Sequence, residues 1–286
     1  MSSPVKPRLR SLFGDAPATP NPFGLGVAIT GLVSGWLIAT IAVNLWPHRG
    51  GLGGSASLFT QNLLNLIGLW IGLVLAAVFA HTLARSRPRL TASERTLSDA
   101  RPANREAARL GLFAQMRADY GIAVRAVDLP VGIAIGLAGQ YLLTPLLELP
   151  LLPFVPHLFT RLNDPANSLT HNITGSHFVI LGVFVCLGSP VVEELYFRGL
   201  VLRALLGRFS DSAITRSRKS LAVILPVVLD GIFFGLVHFE PLELLALSGF
   251  GVLLALVAWR SGRLGPGFIA HVTFNSATII ALARTH

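Results

Sequence analysis

The residues of this chain that could do chemistry stand where they are expensive. Glu193 and Glu194 are adjacent inside a long apolar run, with Arg198 four residues after Glu194. His238 follows Phe234 at the same spacing in a second apolar run, and Asn275 follows His271 in a third. An ionisable group in an apolar helix must be paired, neutralised or wetted, which makes each a functional-site candidate. Glu194 and Arg198 share a helix face and can pair. Glu193 lies about 100° around the helix and faces something else. Pro190, just before the pair, removes a helical hydrogen bond. Asp230, in the same run as His238, is a weaker candidate.

A carboxylate and a histidine in an apolar cavity can activate a water as general base, as Glu193 and His238 would. A second histidine and an asparagine, His271 and Asn275, can donate to a developing oxyanion. The alternative is a divalent metal such as zinc held by Glu193, His238 and His271. The facing His271 and Asn275 suit oxyanion donation better than metal closure, so the metal-free reading is favoured. The chain has no His-Glu-x-x-His, no Gly-x-Ser-x-Gly and no phosphate-binding GxxxxGK[ST]. Its single cysteine, Cys186, excludes an internal disulfide and a cysteine-based zinc site.

These residues need elements that can hold them in an apolar setting. Of the 286 residues, 52% are hydrophobic and only 13% charged, about half the usual charged share. That excludes an ordinary soluble enzyme and predicts an all-α, polytopic transmembrane helix bundle of about seven spans. Apolar runs long enough to cross a bilayer lie near 23–46, 63–84, 127–149, 177–206, 221–239, 242–259 and 264–283. The net charge of +9 comes from arginines clustered between these runs, which suits loops against anionic lipid rather than nucleic acid.

Every second loop is basic. Lys6, Arg8 and Arg10 precede the first run, seven arginines from Arg85 to Arg109 follow the second, and Arg208, Arg216, Arg218 and Lys219 follow the fourth. Arg260 and Arg263 follow the sixth. This bias predicts a cytoplasmic N-terminus. The organisation read from the chain is a tail over 1–22, N-terminal membrane helices over 23–149 with a basic cytoplasmic segment at 85–126, an extracytoplasmic loop at 150–176 and a membrane core at 177–283. The segment 85–126 reads either as an amphipathic surface helix or as a solvated linker. Glu148, Glu240 and Glu243 fall near outer helix ends, where water is within reach. At 1.5 Å per residue, Glu193, His238, His271 and Asn275 lie roughly 16–27 Å from the basic ends, at similar depth on three helices.

Glu-Glu-x-x-x-Arg at 193–198, Phe-x-x-x-His at 234–238 and His-x-x-x-Asn at 271–275, in that order on successive helices, resemble the CAAX protease and bacteriocin-processing family. Pro190, Phe197 and Gly199 extend the likeness, which covers about residues 177–283. The resemblance implies an intramembrane endopeptidase acting on a hydrophobic or lipidated protein substrate, CAAX-like and prenylated in some relatives. Glu193 and His238 would activate water, and His271 and Asn275 would hold the oxyanion. Glu194, Arg198 and Phe234 would support the site. The readings from other classes are a proton-coupled transporter, which calls for internal symmetry, and a non-catalytic scaffold or bacteriocin immunity protein. The Ala-, Arg- and Gly-rich makeup suggests a prokaryotic inner membrane, with lipids and the substrate as partners.

Overall fold

The computed structural model describes residues 24–46, 55–86, 111–162, 164–210 and 220–284, and all regular structure among them is helical. We number the helices α1 (Gly24–Leu45), α2 (Ser55–Ser86), α3 (Leu112–Asp119), α4 (Asp128–Leu151), α5 (Asp164–Thr170), α6 (Gly175–Phe209), α7 (Leu221–Leu236), α8 (Leu244–Ser261) and α9 (Gly265–Ala283). Six of them, α1, α2, α4, α6, α8 and α9, are long and apolar enough to cross a membrane. The all-α polytopic bundle read from the sequence is therefore present. Large apolar side chains such as Ile29, Val33, Leu37 and Ile41 of α1 are left exposed, as a lipid-facing surface requires.

The expected fifth span is shorter than its apolar run. Helix α7 stops at Leu236 after 16 residues, about 24 Å, short of the roughly 30 Å hydrocarbon core. The chain turns over Val237–Glu243, with Phe239 in the left-handed region at φ 56°. The turn after α7 is thus set below the level a full span would reach. The amphipathic or linker stretch expected at 85–126 falls partly outside the described residues. Within them, α3 docks Met116 and Tyr120 against Ala77 of α2.

Helices associate in pairs through glycine, α1 with α2 and α7 with α8 antiparallel and α4 with α9 parallel. A Cβ added at Gly35 would come within 2.7 Å of the Leu69 carbonyl, and one at Gly231 within 2.4 Å of the Val252 nitrogen. Such backbone-to-backbone approach is how membrane helices gain packing contacts where water supplies no hydrophobic drive. Helices α1 and α2, α7 and α8, and α4 and α9 pair in this way.

Helix α6 runs through the middle. Its Val192, Tyr196, Phe197, Leu200, Val201 and Leu205 form the core with Ala28 of α1, Leu73 and Ala76 of α2 and Phe234 of α7. The Tyr196 hydroxyl donates to the Ala28 carbonyl at 2.7 Å. At one end, Arg263 binds the Asp128 carboxylate, and both are buried. Arg263 was expected in a basic loop. It lies in that loop, between α8 and α9, but is buried there and ties the loop to the start of α4.

Candidate active site

Glu193 owes its position to an irregular stretch of α6. The backbone adopts π-helical geometry at Phe184–Gly188, with the Ser189 N–H bonded to the Phe184 carbonyl. In that frame the next carbonyl, Val185, would receive the N–H of residue 190, which is proline and has none. The Asn275 side-chain amide donates to the Val185 carbonyl at 2.9 Å instead. A second π stretch, Glu194–Val201, begins at the adjacent carboxylate. Such bulges recur at functional sites because they re-aim side chains.

Glu194 and Arg198 are fully buried and pair as their spacing predicts, with Oε1 3.0 Å from Nη1. Arg198 does more than answer Glu194. Its Nε lies 3.6 Å from Asp230 Oδ2, its Nη2 donates to the Gly251 carbonyl at 3.1 Å, and its guanidinium sits 4.5 Å from the Phe234 ring centroid. Asp230, ranked low in the sequence, is this cation's second anion. Its depth in an apolar run was the signal, and its partner was not legible. Glu194 Oε1 also lies 3.1 Å from His271 Nδ1, so the Glu194–Arg198 pair orients the imidazole. Gly267 makes room for this carboxylate, since a Cβ there would sit 2.8 Å from Glu194 Oε2.

Glu193 faces the other way, into a cavity of about 360 Å³ that it lines with His238, His271, Asn275 and Phe234. The walls are otherwise mostly apolar, with Leu66, Leu247, Phe250 and Phe274 among them, and Pro165, Ala166 and Leu169 of α5 form one side. Glu193 Oε2 makes no hydrogen bond and lies 3.7 Å from His271 Nε2. His238 sits in the turn just past α7, not on the helix. Its Nδ1 donates to the Phe234 carbonyl at 2.6 Å, capping an orphan carbonyl and leaving Nε2 unused. The structure therefore brings together all four residues singled out for chemistry.

The three supposed metal ligands fit less well. His271 Nδ1 is held by Glu194, which leaves Nε2 toward Glu193, but no group of three metal-ligating side chains forms among the described residues. Glu193, His238 and His271 do not converge on a common ion in this arrangement.

The outer glutamates depart from expectation at Glu148 alone. Glu148 is buried at 6% exposure, and Glu240 and Glu243 line the same cavity as Glu193. Burial first, then the nearby Glu240 and Glu148, pushes Glu243 up to about 7. Glu148 is closed off from bulk water, whereas Glu240 and Glu243 stay partly exposed, as their position in the turn before α8 predicts.

Residues 175–277 match the family described as Type II CAAX prenyl endopeptidase Rce1-like. The match spans α6, α7, α8 and most of α9, and bears out the resemblance carried by the three motifs. Helices α1 to α4 lie outside it. No curated protein and no solved structure matches the chain.

Proposed function

We propose that this chain is an intramembrane endopeptidase that hydrolyses a peptide bond in a hydrophobic or lipidated polypeptide, with Glu193 as general base. The observation that carries this reading is the division of labour between adjacent carboxylates. Glu194 is consumed by Arg198 and His271, whereas Glu193 is open to a cavity it shares with His238, His271 and Asn275. The family match over 175–277 supports the reaction class.

A water in the cavity gives one hydrogen bond to Glu193 and one to the free Nε2 of His238. Its proton moves to Glu193 as its oxygen attacks the scissile carbonyl carbon. The oxyanion accepts from the second hydrogen of the Asn275 amide and from His271 Nε2, which donates when the imidazole carries both protons. Glu193 then returns the proton to the nitrogen as the C–N bond breaks, leaving a carboxyl and an amine. The bundle lies in a prokaryotic plasma membrane with its N-terminus and basic loops cytoplasmic.

The test is a peptidase assay on purified protein in detergent or liposomes, with quenched fluorescent peptides carrying a hydrophobic C-terminal segment. Turnover that disappears in Glu193→Gln is expected. An absence of turnover by wild-type protein on every such peptide would favour the scaffold reading.

A further inference from the structure

The backbone device that sets Glu193 occurs a second time. In α6, the π turn Phe184–Gly188 is followed by Ser189-Pro190-Val191-Val192-Glu193. In α4, the π turn Gly139–Leu143 is followed by Thr144-Pro145-Leu146-Leu147-Glu148. The Thr144 N–H bonds to the Gly139 carbonyl just as the Ser189 N–H bonds to that of Phe184. Glu148 thus holds in α4 the place that Glu193 holds in α6.

Glu148 also lines a cavity. This second chamber, of about 320 Å³, is lined by Gln140 and Thr144, at successive four-residue steps on the same face of α4, and by Glu243. It is contiguous with the Glu193 cavity, for Pro165, Glu243, Leu247 and Phe274 line both. Several of its oxygens meet no partner. Glu148 is more than nine-tenths buried and has no hydrogen-bond or ion-pair partner among the described residues. Gln140 Oε1 and Thr144 Oγ1 are buried and equally unanswered. Unpaired acceptors at this depth are costly, and a donor-rich cation would satisfy several at once. The chamber is larger than a bare ion needs and lies at the small end of ligand pockets, the size for one long side chain.

The geometry points to a specificity subsite in which the Gln140, Thr144, Glu148 and Glu243 chamber receives a lysine or arginine side chain of the polypeptide bound at Glu193. This rests on the endopeptidase reading and adds the substrate's charge to it. The apolar wall of the first cavity holds the hydrophobic segment, and the second chamber fixes the register of the chain by one basic residue.

Binding tests the subsite apart from cleavage. Fluorescein-labelled apolar peptides with a single lysine moved one position at a time are titrated onto full-length Glu193→Gln protein, each against its acetyl-lysine twin. At one or two positions, acetylation is expected to weaken binding tenfold or more, the scale of lost hydrogen bonds between charged groups. Adding Glu148→Gln should bring that ratio close to one. If that protein does not fold, Glu243→Gln or Gln140→Leu reads the same ratio. Acetylation without effect at every position overturns the subsite, as does a preference that survives these substitutions. Wild-type protein that cleaves none of the peptides while lysine-selective binding persists would instead count against the endopeptidase reading.

Discussion

Glu194 Oε1 lies 3.1 Å from His271 Nδ1, joining two helices through one buried carboxylate. The same atom lies 3.0 Å from Arg198, so the imidazole is held by an anion that is itself held by a cation. Glu193, one residue earlier, takes no part in that chain except across the 3.7 Å to His271 Nε2. Adjacent and identical side chains therefore have separable consequences.

Glu193→Gln keeps shape and hydrogen-bonding capacity and removes basicity. Turnover should fall at least about 10²-fold, the scale of a lost general base, with thermal stability close to wild type. Turnover within a few-fold of wild type, at matched monodisperse protein, would exclude Glu193 as the base.

Glu194→Gln should do the reverse to stability. Removing one partner of a buried pair costs about 3–5 kcal/mol, and the low end is expected because Arg198 keeps Asp230 and the Gly251 carbonyl. The readout is thermal unfolding in detergent beside Glu193→Gln. Equal melting of the two variants would contradict the assignment.

Asn275→Ala removes an oxyanion donor and strands the Val185 carbonyl. About 10²–10³-fold in kcat and about 1–3 kcal/mol of stability should be lost. The two losses are separable by adding Pro190→Ala, which restores a backbone N–H that can reach Val185. The double variant should regain stability but not kcat. Recovery of both would make Asn275 structural only.

The proposed reaction draws on side chains alone. A chelator should leave most activity, and purified protein should lack stoichiometric zinc. Activity lost on metal removal and regained on its return would overturn this.

Orientation is open to direct labelling. With Cys186 replaced, cysteines introduced at Ser217 and Ser168 should react with an impermeant thiol reagent from opposite faces of sealed vesicles. Reaction of both from one face would reject the topology.

Much of this was legible because hydrocarbon makes polar residues conspicuous. Glu193, Glu194, Arg198, His238, His271 and Asn275 stood out by cost alone, and the separation of the glutamates followed from helical angle. The pairing of Glu194 with Arg198 needed only their spacing. What was not legible depends on backbone bonding that side-chain type does not encode. Pro190 announced a missing donor, but not that the frame would shift and leave Val185 for Asn275. The end of α7 at Leu236 hid in an apolar run that continues past it. Glu148 was placed near water by position along α4, whereas packing by neighbours distant in sequence buries it. The likeness of Thr144–Glu148 to Ser189–Glu193 is too short to notice without the turns that precede both.

Pro190, rather than the π turn at Phe184–Gly188, is the hereditary partner of Asn275. That turn holds one residue more than an α turn, so losing a residue there is a small edit that restores regular winding. The stretch from Ser189 to Gly207 is locked among buried neighbours. The compensating rotation of about 100° would therefore fall on Gly175–Val183, where Val179 and Val183 face outward and only Leu181 and Gly182 would lose a buried seat. Glu193 would stay where it is. A residue lost between Val185 and Pro190 would leave the Val185 carbonyl four positions before the proline, in α-helical frame and still without a backbone donor. A descendant with the shorter helix would therefore still need asparagine at 275 to answer that carbonyl, and only loss of Pro190 would release the position.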